Sequence, residues 1–330
     1  MVDDARPVSR QPEGFAALAS RLERRFAAGV RAPWTEEEFE QHARAAFTLQ
    51  FHSVPPFRAL CEARGVTPAS VRSWREVPAV PAAAFKHLDL ICEGETPEAV
   101  FLTSGTTRGA GSRGRHLVPR LSLYRSALLP PFVEHVMAAR GRIRFVSLIP
   151  SPEERPDSSL SWMVGAAAAT LATTAHWLVD GQGALDAERL RTLLRRAANA
   201  GEPILLLGTA LALLHVLVDL EAVPVPPLPP GTRIMETGGF KGAGREVTRG
   251  ELYERLAYAT GVPRERIVSE YGMTELLSQL YEPVLSEGPG AAGTHVPPPW
   301  LRVRALDPDT LEELPDGIDG LLAFYDLANL

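Results

Sequence analysis

Residues 266–275 read Arg-Ile-Val-Ser-Glu-Tyr-Gly-Met-Thr-Glu, a short β-branched run that breaks into a glycine turn. Ile267 and Val268 suit a strand buried on both faces, and Gly272 ends it. Ala99–Thr103, Arg144–Ile149, Ile204–Leu207 and Arg233–Thr237 have the same texture. Helical patterns accompany them at Leu121–Ala138, Ala187–Ala200, Ala210–Leu220 and Gly250–Thr260. Buried strands alternating with helices predict an α/β fold with a mostly parallel sheet. Ligands of such sheets sit beyond the strand carboxyl ends. There Tyr271 offers a ring for stacking, Thr274 a hydroxyl, and Glu275 a hard oxygen for Mg²⁺. Taken alone, the same string also fits a turn that merely enters a helix.

Around this centre the chain divides into residues 1–45, an N-terminal helical layer, and residues 46–330, a large domain. Phe15, Leu18, Leu22 and Phe26 fall on one helical face. A second helix starts after Thr35, with Glu38 placed to complete a capping box. The proline-rich run Val223–Gly231 (VPVPPLPPG) reads as a rigid connector crossing between two sheets. Trp300–Ala305 and Leu321–Tyr325, separated by a turn at Asp307–Asp309, read as a β-meander. Ser158–Val179 carries no formal charge and is long enough to span a bilayer. Its Ala, Ser, Thr and Gly content is only weakly apolar, so it reads as a small-residue core helix followed by a strand around His176–Val179.

Composition excludes several function classes. With 34 Lys+Arg against 40 Asp+Glu the net charge is −6, the wrong sign for a general nucleic-acid binder. Cys61 and Cys92 cannot form a disulfide framework and read as reduced, buried thiols of a cytoplasmic protein. Met1–Gln11 carries Asp3, Asp4, Arg6 and Arg10, and no apolar core of an export signal. His116 and His176 stand without partner spacing and read as structural or surface residues. Trp162 and Met163 could line an acyl channel, but core packing is the preferred reading.

Two glycine-bearing loops carry the chemistry. Phe101–Arg115 (FLTSGTTRGAGSRGR) follows a strand and gathers Thr103, Ser104, Thr106 and Thr107 with Gly105 and Gly109. Glycines let backbone N–H groups turn inward and hydroxyls add donors, so such a loop can wrap phosphate oxygens. No Gly-Lys-Ser/Thr closes it, which excludes the Walker pattern. From Glu98 to Glu134 there is no other acidic residue, while five arginines are present, a local field that suits a polyphosphate. A solvated surface loop is the alternative reading. Gly238-Gly239-Phe240-Lys241 follows another strand, where bare backbone can approach a flat ligand; Lys241 can meet phosphate or carboxylate there, or equally stand as a solvated lysine.

Thr103-Ser-Gly-Thr-Thr107 together with Tyr271-Gly-Met-Thr-Glu275 resembles the adenylate-forming enzymes, which include acyl-CoA synthetases, luciferase and peptide-synthetase adenylation domains. The chain is more similar to the bacterial acyl-protein synthetase family, through Ile149–Leu160, Glu236–Gly242, Ser269–Gln279, Pro297–Trp300 and Asp326–Asn329. That resemblance spans roughly residues 45–330. It implies a layered αβαβα nucleotide-binding domain with two sheets and a small C-terminal β subdomain. It also implies ATP and Mg²⁺ as cofactors, a fatty or other carboxylic acid as substrate, and an acyl-accepting protein such as a reductase as partner. Thr103–Thr107 and Gly109 would then hold the β- and γ-phosphates, and Gly238 and Gly239 would border the adenine. Tyr271 would stack on it with Gly272 also in the nucleotide site, Thr274 would contact the α-phosphate, and Glu275 would ligate Mg²⁺.

The pattern departs from the family where Arg108 replaces a common glycine. By the same resemblance, a ribose-binding aspartate, a small C-terminal portion and the acyl-accepting cysteine would lie beyond Leu330, so neither Cys61 nor Cys92 is assigned as nucleophile. A phenylacetate-type acyl-CoA ligase and an adenylate-binding module without turnover are the rival readings.

Overall fold

The computed structural model describes residues 13–103, 113–138, 141–239 and 247–330. Six strands form the main sheet: β3 (Ile143–Ser147), β4 (Ala172–Trp177), β5 (Ile204–Thr209), β6 (Arg233–Thr237), β7 (Ile267–Tyr271) and β8 (Leu280–Tyr281). Their order is β4-β3-β5-β6-β7-β8, parallel except for β8, which runs antiparallel to β7. Two hairpins flank it, β1 (Ala99–Leu102) with β2 (Arg115–Val118), and β9 (Leu301–Leu306) with β10 (Leu321–Asp326).

Strand alternation divides the core into two layers. Leu205, Leu207, Met235 and Val268 join one apolar cluster, while Leu206, Ile234 and Ile267 join the other. Helices α1 (Phe15–Phe26), α2 (Glu36–Ser53), α3 (Pro55–Ala63), α4 (Leu121–Phe132) and α5 (Ser159–Leu171) cover the first. Helices α6 (Ala187–Ala200), α7 (Ala210–Ala222) and α8 (Arg249–Thr260) cover the second. This is the α/β class expected from the sequence. The proline run, however, joins α7 to β6, next to β5 in the same sheet, and does not cross between sheets. Val225 and Leu228 bury along the way in the second cluster, which holds the extended segment against the sheet.

Local chemistry explains the helix ends. Thr35 caps α2 by accepting from the Glu38 N–H at 3.0 Å. The reciprocal half of the box is not made, because Arg25 takes the Glu38 carboxylate. The helix expected over 121–138 runs as α4 through Pro130 and Pro131, which remove two N–H donors, and then gives way to a π-turn over Val133–Met137. Buried Arg233 donates to the Val136 and Met137 carbonyls at its end. The uncharged stretch splits into α5, capped by Ser158, and β4. Among the described residues no helix is long and apolar enough to cross a membrane. The tail is a two-stranded hairpin, with an isolated bridge from Leu306 to Glu313 in place of a third strand. Trp300 packs against Phe26 with the rings tilted, 4.6 Å between centroids, so this hairpin packs against the N-terminal helices.

Small residues in α5 have a steric cause. A methyl on Gly165 would stand 2.3 Å from the Pro152 ring, in the segment that leaves β3. Gly165→Ala is therefore expected to destabilise the fold by about 1–3 kcal/mol in urea unfolding. Gly250→Ala, the second residue of α8, meets nothing closer than 3.9 Å. That control should be neutral or stabilising by up to about 1 kcal/mol. Equal stability of the two variants would refute the close α5 packing.

Candidate active site

The parallel pairing of β6 with β7 sets Thr237 opposite Glu270. The chain therefore leaves the two neighbouring strands as Gly238-Gly239 and Tyr271-Gly272. Gly238 has φ +77°, and among the described residues a Cβ added at either Gly238 or Gly239 would meet nothing within 4 Å. Both glycines line open space, as close approach to a flat ligand requires. The Tyr271 ring, 38% exposed, stacks on Phe324 at 5.9 Å and meets His295 edge-on at 6.2 Å. Gly272 is required for a different reason, since its Cβ would lie 2.6 Å from Glu270 Oε1.

Thr103 stands at the start of the glycine and hydroxyl loop. Ser104, Gly105, Thr106, Thr107 and Gly109 lie outside the described residues, as does Lys241. Both stems of the loop are described. Arg113 donates to the Thr103 and Leu102 carbonyls and pairs with Asp157 at 2.8 Å, while the Gly114 N–H donates to Thr103 Oγ1 at 2.9 Å. Side chain and main chain together pin the base of the loop.

The strand that follows the first motif's loop is tied to the second motif by a residue that sequence reasoning left as structural or surface. His116, on β2, is 2% exposed. Its Nδ1 lies 2.6 Å from the Thr274 carbonyl oxygen and its Nε2 2.9 Å from Asn329 Oδ1. Asn329 in turn donates through Nδ2 to the Glu275 carbonyl at 2.8 Å. Both partners of the ring are acceptors, so a neutral ring, with one N–H, donates to one of them at a time, and only the doubly protonated ring donates to both. Burial draws the ring's pKa below its ordinary value, and the two partners oppose that. Asp326 holds the other flank of the turn, accepting from the Leu277 N–H at 3.0 Å and the Ser278 hydroxyl at 2.7 Å. No sequence signal marked these contacts, because His116 lies 158 residues from Thr274 and 213 from Asn329.

Several carboxyls here are pushed toward the neutral form. Burial raises Glu275, opposed by the charge of Lys86. Glu236 is fully buried and raised by desolvation, though Tyr253 and Ser269 donate to its Oε2 and Arg249 lies 3.3 Å away. Glu270, which accepts from the Thr237 hydroxyl, is pushed up to about 7 by burial. Among the described residues no group of three or more His, Cys, Asp or Glu forms a metal cage. A single half-buried carboxylate such as Glu275 fits a Mg²⁺ that takes its remaining oxygens from substrate phosphates and water. Glu275 and Met273 also line a cavity of about 710 Å³ whose walls include Phe47, Phe57, Trp74 and Phe324. Trp162 stacks on Tyr124 at 4.5 Å and Met163 is buried, so both are core residues.

A family model described as "Acyl-protein synthetase, LuxE" matches residues 34–329. A search of curated proteins finds no match. Among solved structures, the chain is similar to 2-hydroxyisobutyryl-CoA ligase in the postadenylation state in complex with 2-HIB-AMP. That match has 16% identity and a TM-score of 0.66, and covers 89% of this chain and 60% of that one. Similarity to a long-chain-fatty-acid-CoA ligase, FadD1 from Archaeoglobus fulgidus, is 14% in identity with TM-score 0.52, covering 83% and 51%. ATP-bound MatB from Rhodopseudomonas palustris is 16% identical with TM-score 0.49, covering 82% and 48%. The chain thus spans about half to three fifths of the length of these proteins. The first two likenesses establish a shared fold.

The raised Glu270 carboxyl has a measurable consequence. Its ordinary pKa is 4.5 and its folded value about 7, so the folded protein holds the extra proton between those values. Its contribution to stability is therefore greatest below pH 4.5 and falls as pH rises toward 7. Glu270→Gln should gain on wild type across that window by up to about 3 kcal/mol, at roughly 1.4 kcal/mol per pKa unit. Urea unfolding at about pH 5 and about pH 8 checks this, and an equal stability difference at both would contradict it.

Proposed function

The chain belongs to the LuxE acyl-protein synthetase family, and from that premise we propose that it activates a carboxylic acid with ATP and passes the acyl group to a thiol. A carboxylate oxygen of the acid attacks the α-phosphorus, the bond to the bridging β-phosphate oxygen breaks, and pyrophosphate leaves. A thiolate then attacks the acyl carbonyl and AMP leaves. The observation that carries this reading is the His116–Thr274 bond. It joins the strand returning from the 104–112 loop to the turn bearing Thr274 and Glu275, so both motifs can serve one nucleotide.

Each residue then has a task. The 103–109 segment cradles the β- and γ-phosphates through N–H and hydroxyl donors, and Gly238-Gly239 leaves room for the adenine over which Tyr271 lies. Thr274 donates to an α-phosphate oxygen, where negative charge grows during attack. Glu275 would hold Mg²⁺, which neutralises phosphate charge when bound. Lys241 supplies a further cation beside the Gly-Gly turn. The apolar walls of the cavity beside Glu275 favour an alkyl acid, and a long-chain fatty acid fits the family. The acceptor thiol belongs to another group than Cys61 or Cys92. Both are buried, and burial pushes Cys61 up to about 11 and raises Cys92. A protein thiol in a cytoplasmic setting is the acceptor proposed.

Pyrophosphate release with decanoate or tetradecanoate is the direct test, and nucleotide binding without any release would mark a binding module instead. Transfer to coenzyme A rather than to protein would favour the acyl-CoA ligase reading. Glu275→Gln should lower ATP–pyrophosphate exchange about 100-fold or more while the folded protein keeps its melting temperature. Full exchange in that variant would remove Glu275 from the metal site.

A further inference from the structure

We propose that His116 is a positioning residue for acyl-adenylate formation, setting the aim of Thr274 and Glu275 through their main chain without touching substrate. The inference rests on the functional reading above and goes beyond its assigned residues. The Glu275 carboxylate meets its own N–H and the charge of Lys86. If the Thr274 and Glu275 side chains serve the α-phosphate and metal, the turn is best fixed by its backbone. Both of its carbonyls are so engaged. Thr274 O meets His116 Nδ1 at 2.6 Å, and Glu275 O accepts from Asn329 Nδ2 at 2.8 Å. Each carbonyl fixes one peptide plane, and the two successive planes fix the direction of the Cα–Cβ bond of Glu275 between them.

The chemistry of the strut suits this task. An imidazole is planar and presents nitrogens on two edges, so one ring stands within reach of both Thr274 and Asn329, and with its single N–H on Nδ1 it donates to the Thr274 carbonyl. Phe85 packs edge-on against it at 5.4 Å, and Gln50 donates to the Asn329 carbonyl at 3.0 Å, so neither end of the chain of bonds is loose. His116 also pairs across the hairpin with Phe101, two residues before Thr103. The same residue therefore ties the turn to the stem of the loop. A reacting group displaced by about 1 Å can lose roughly 100-fold in rate, which is the scale expected here.

The test uses the full-length protein and ATP–pyrophosphate exchange with tetradecanoate. His116→Phe keeps a flat ring but loses both bonds. It should lower kcat about 100-fold and leave the KM for ATP within about threefold, because the groups proposed to hold the nucleotide are unchanged. His116→Asn puts an amide nitrogen where Nδ1 stands and keeps the Thr274 bond, so it should recover to within about tenfold of wild type. Asn329→Ser loses the ring's other partner without altering the hairpin interior, and should show the same kcat-selective loss at about tenfold even if His116→Phe fails to fold.

A His116→Phe kcat within about threefold of wild type would overturn the proposal. So would equal losses in the Phe and Asn variants that follow the folded fraction in a melt, or an Asn329→Ser variant with wild-type kcat. If wild type itself shows no exchange with any acid, the ligase reading fails and takes this role with it. Active wild type with unaffected variants removes the positioning role alone.

Discussion

The register of β6 against β7 is the constraint on which the site depends. Thr237 pairs with Glu270, and a slip by one residue would send every side chain of a strand to the opposite face. In the observed register, Met235 and Val268 enter one core layer and Ile234 and Ile267 the other. Glu236 and Ser269 then meet at 3.2 Å inside the protein, and Tyr253 adds a second donor to the same carboxylate. Burying such polar groups is costly unless they are bonded, and the register that fills the core brings both donors to Glu236 Oε2. Gly238 and Tyr271 leave the sheet side by side as a result.

A second constraint joins this sheet to the hairpins. A two-stranded hairpin is marginal by itself, and β1–β2 gains stability by laying one face on the body. Phe101 and His116, cross-strand partners, are both buried on that face. The hairpin's far end carries the glycine and hydroxyl loop, while its buried face reaches Thr274. Across the turn, Asp326 at the end of β10 accepts from Leu277, Ser278 and Ala328. The turn is thus bracketed by the two accessory hairpins, and its conformation follows from packing at a distance.

Much of this was legible in the sequence because it is local. Helix α6 has the bounds its apolar spacing predicts, and the Thr35 cap reads directly from residue type. Strands β5, β6 and β7 announce themselves as apolar runs. Strand β2 does not, because Arg115 and His116 are polar and its four residues are too few to show a period. Strand β4 begins at Ala172, earlier than expected, since Ala-Thr-Thr continues the small-residue texture of the preceding helix. The reciprocal half of the Thr35 box failed for a tertiary reason, the capture of Glu38 by Arg25. Sheet order and the bonds of His116 and Asn329 are long-range facts with no local signature. The site was therefore readable as motifs, and its assembly was not.

The electrostatics of the turn carry the functional argument one step further. Glu275 is partly withdrawn from water and its carboxyl is raised, with Lys86 as an opposing charge. A carboxylate denied full hydration gains more from an arriving cation than a solvated one does, because the metal supplies stabilisation that water no longer gives. Under the proposed reading that gain comes with the nucleotide, whose phosphates bring the metal. Glu236 and Glu270, at the ends of the neighbouring strands, are raised by the same cause, and Glu236 also faces Arg249 at 3.3 Å. In that reading the polyanion would meet the loop donors and a cation, with Glu275 as the carboxylate that would hold the metal. Glu236 and Glu270 differ from it in position rather than in the cause of their shift, since both are buried in the sheet while Glu275 is only half-buried on the turn.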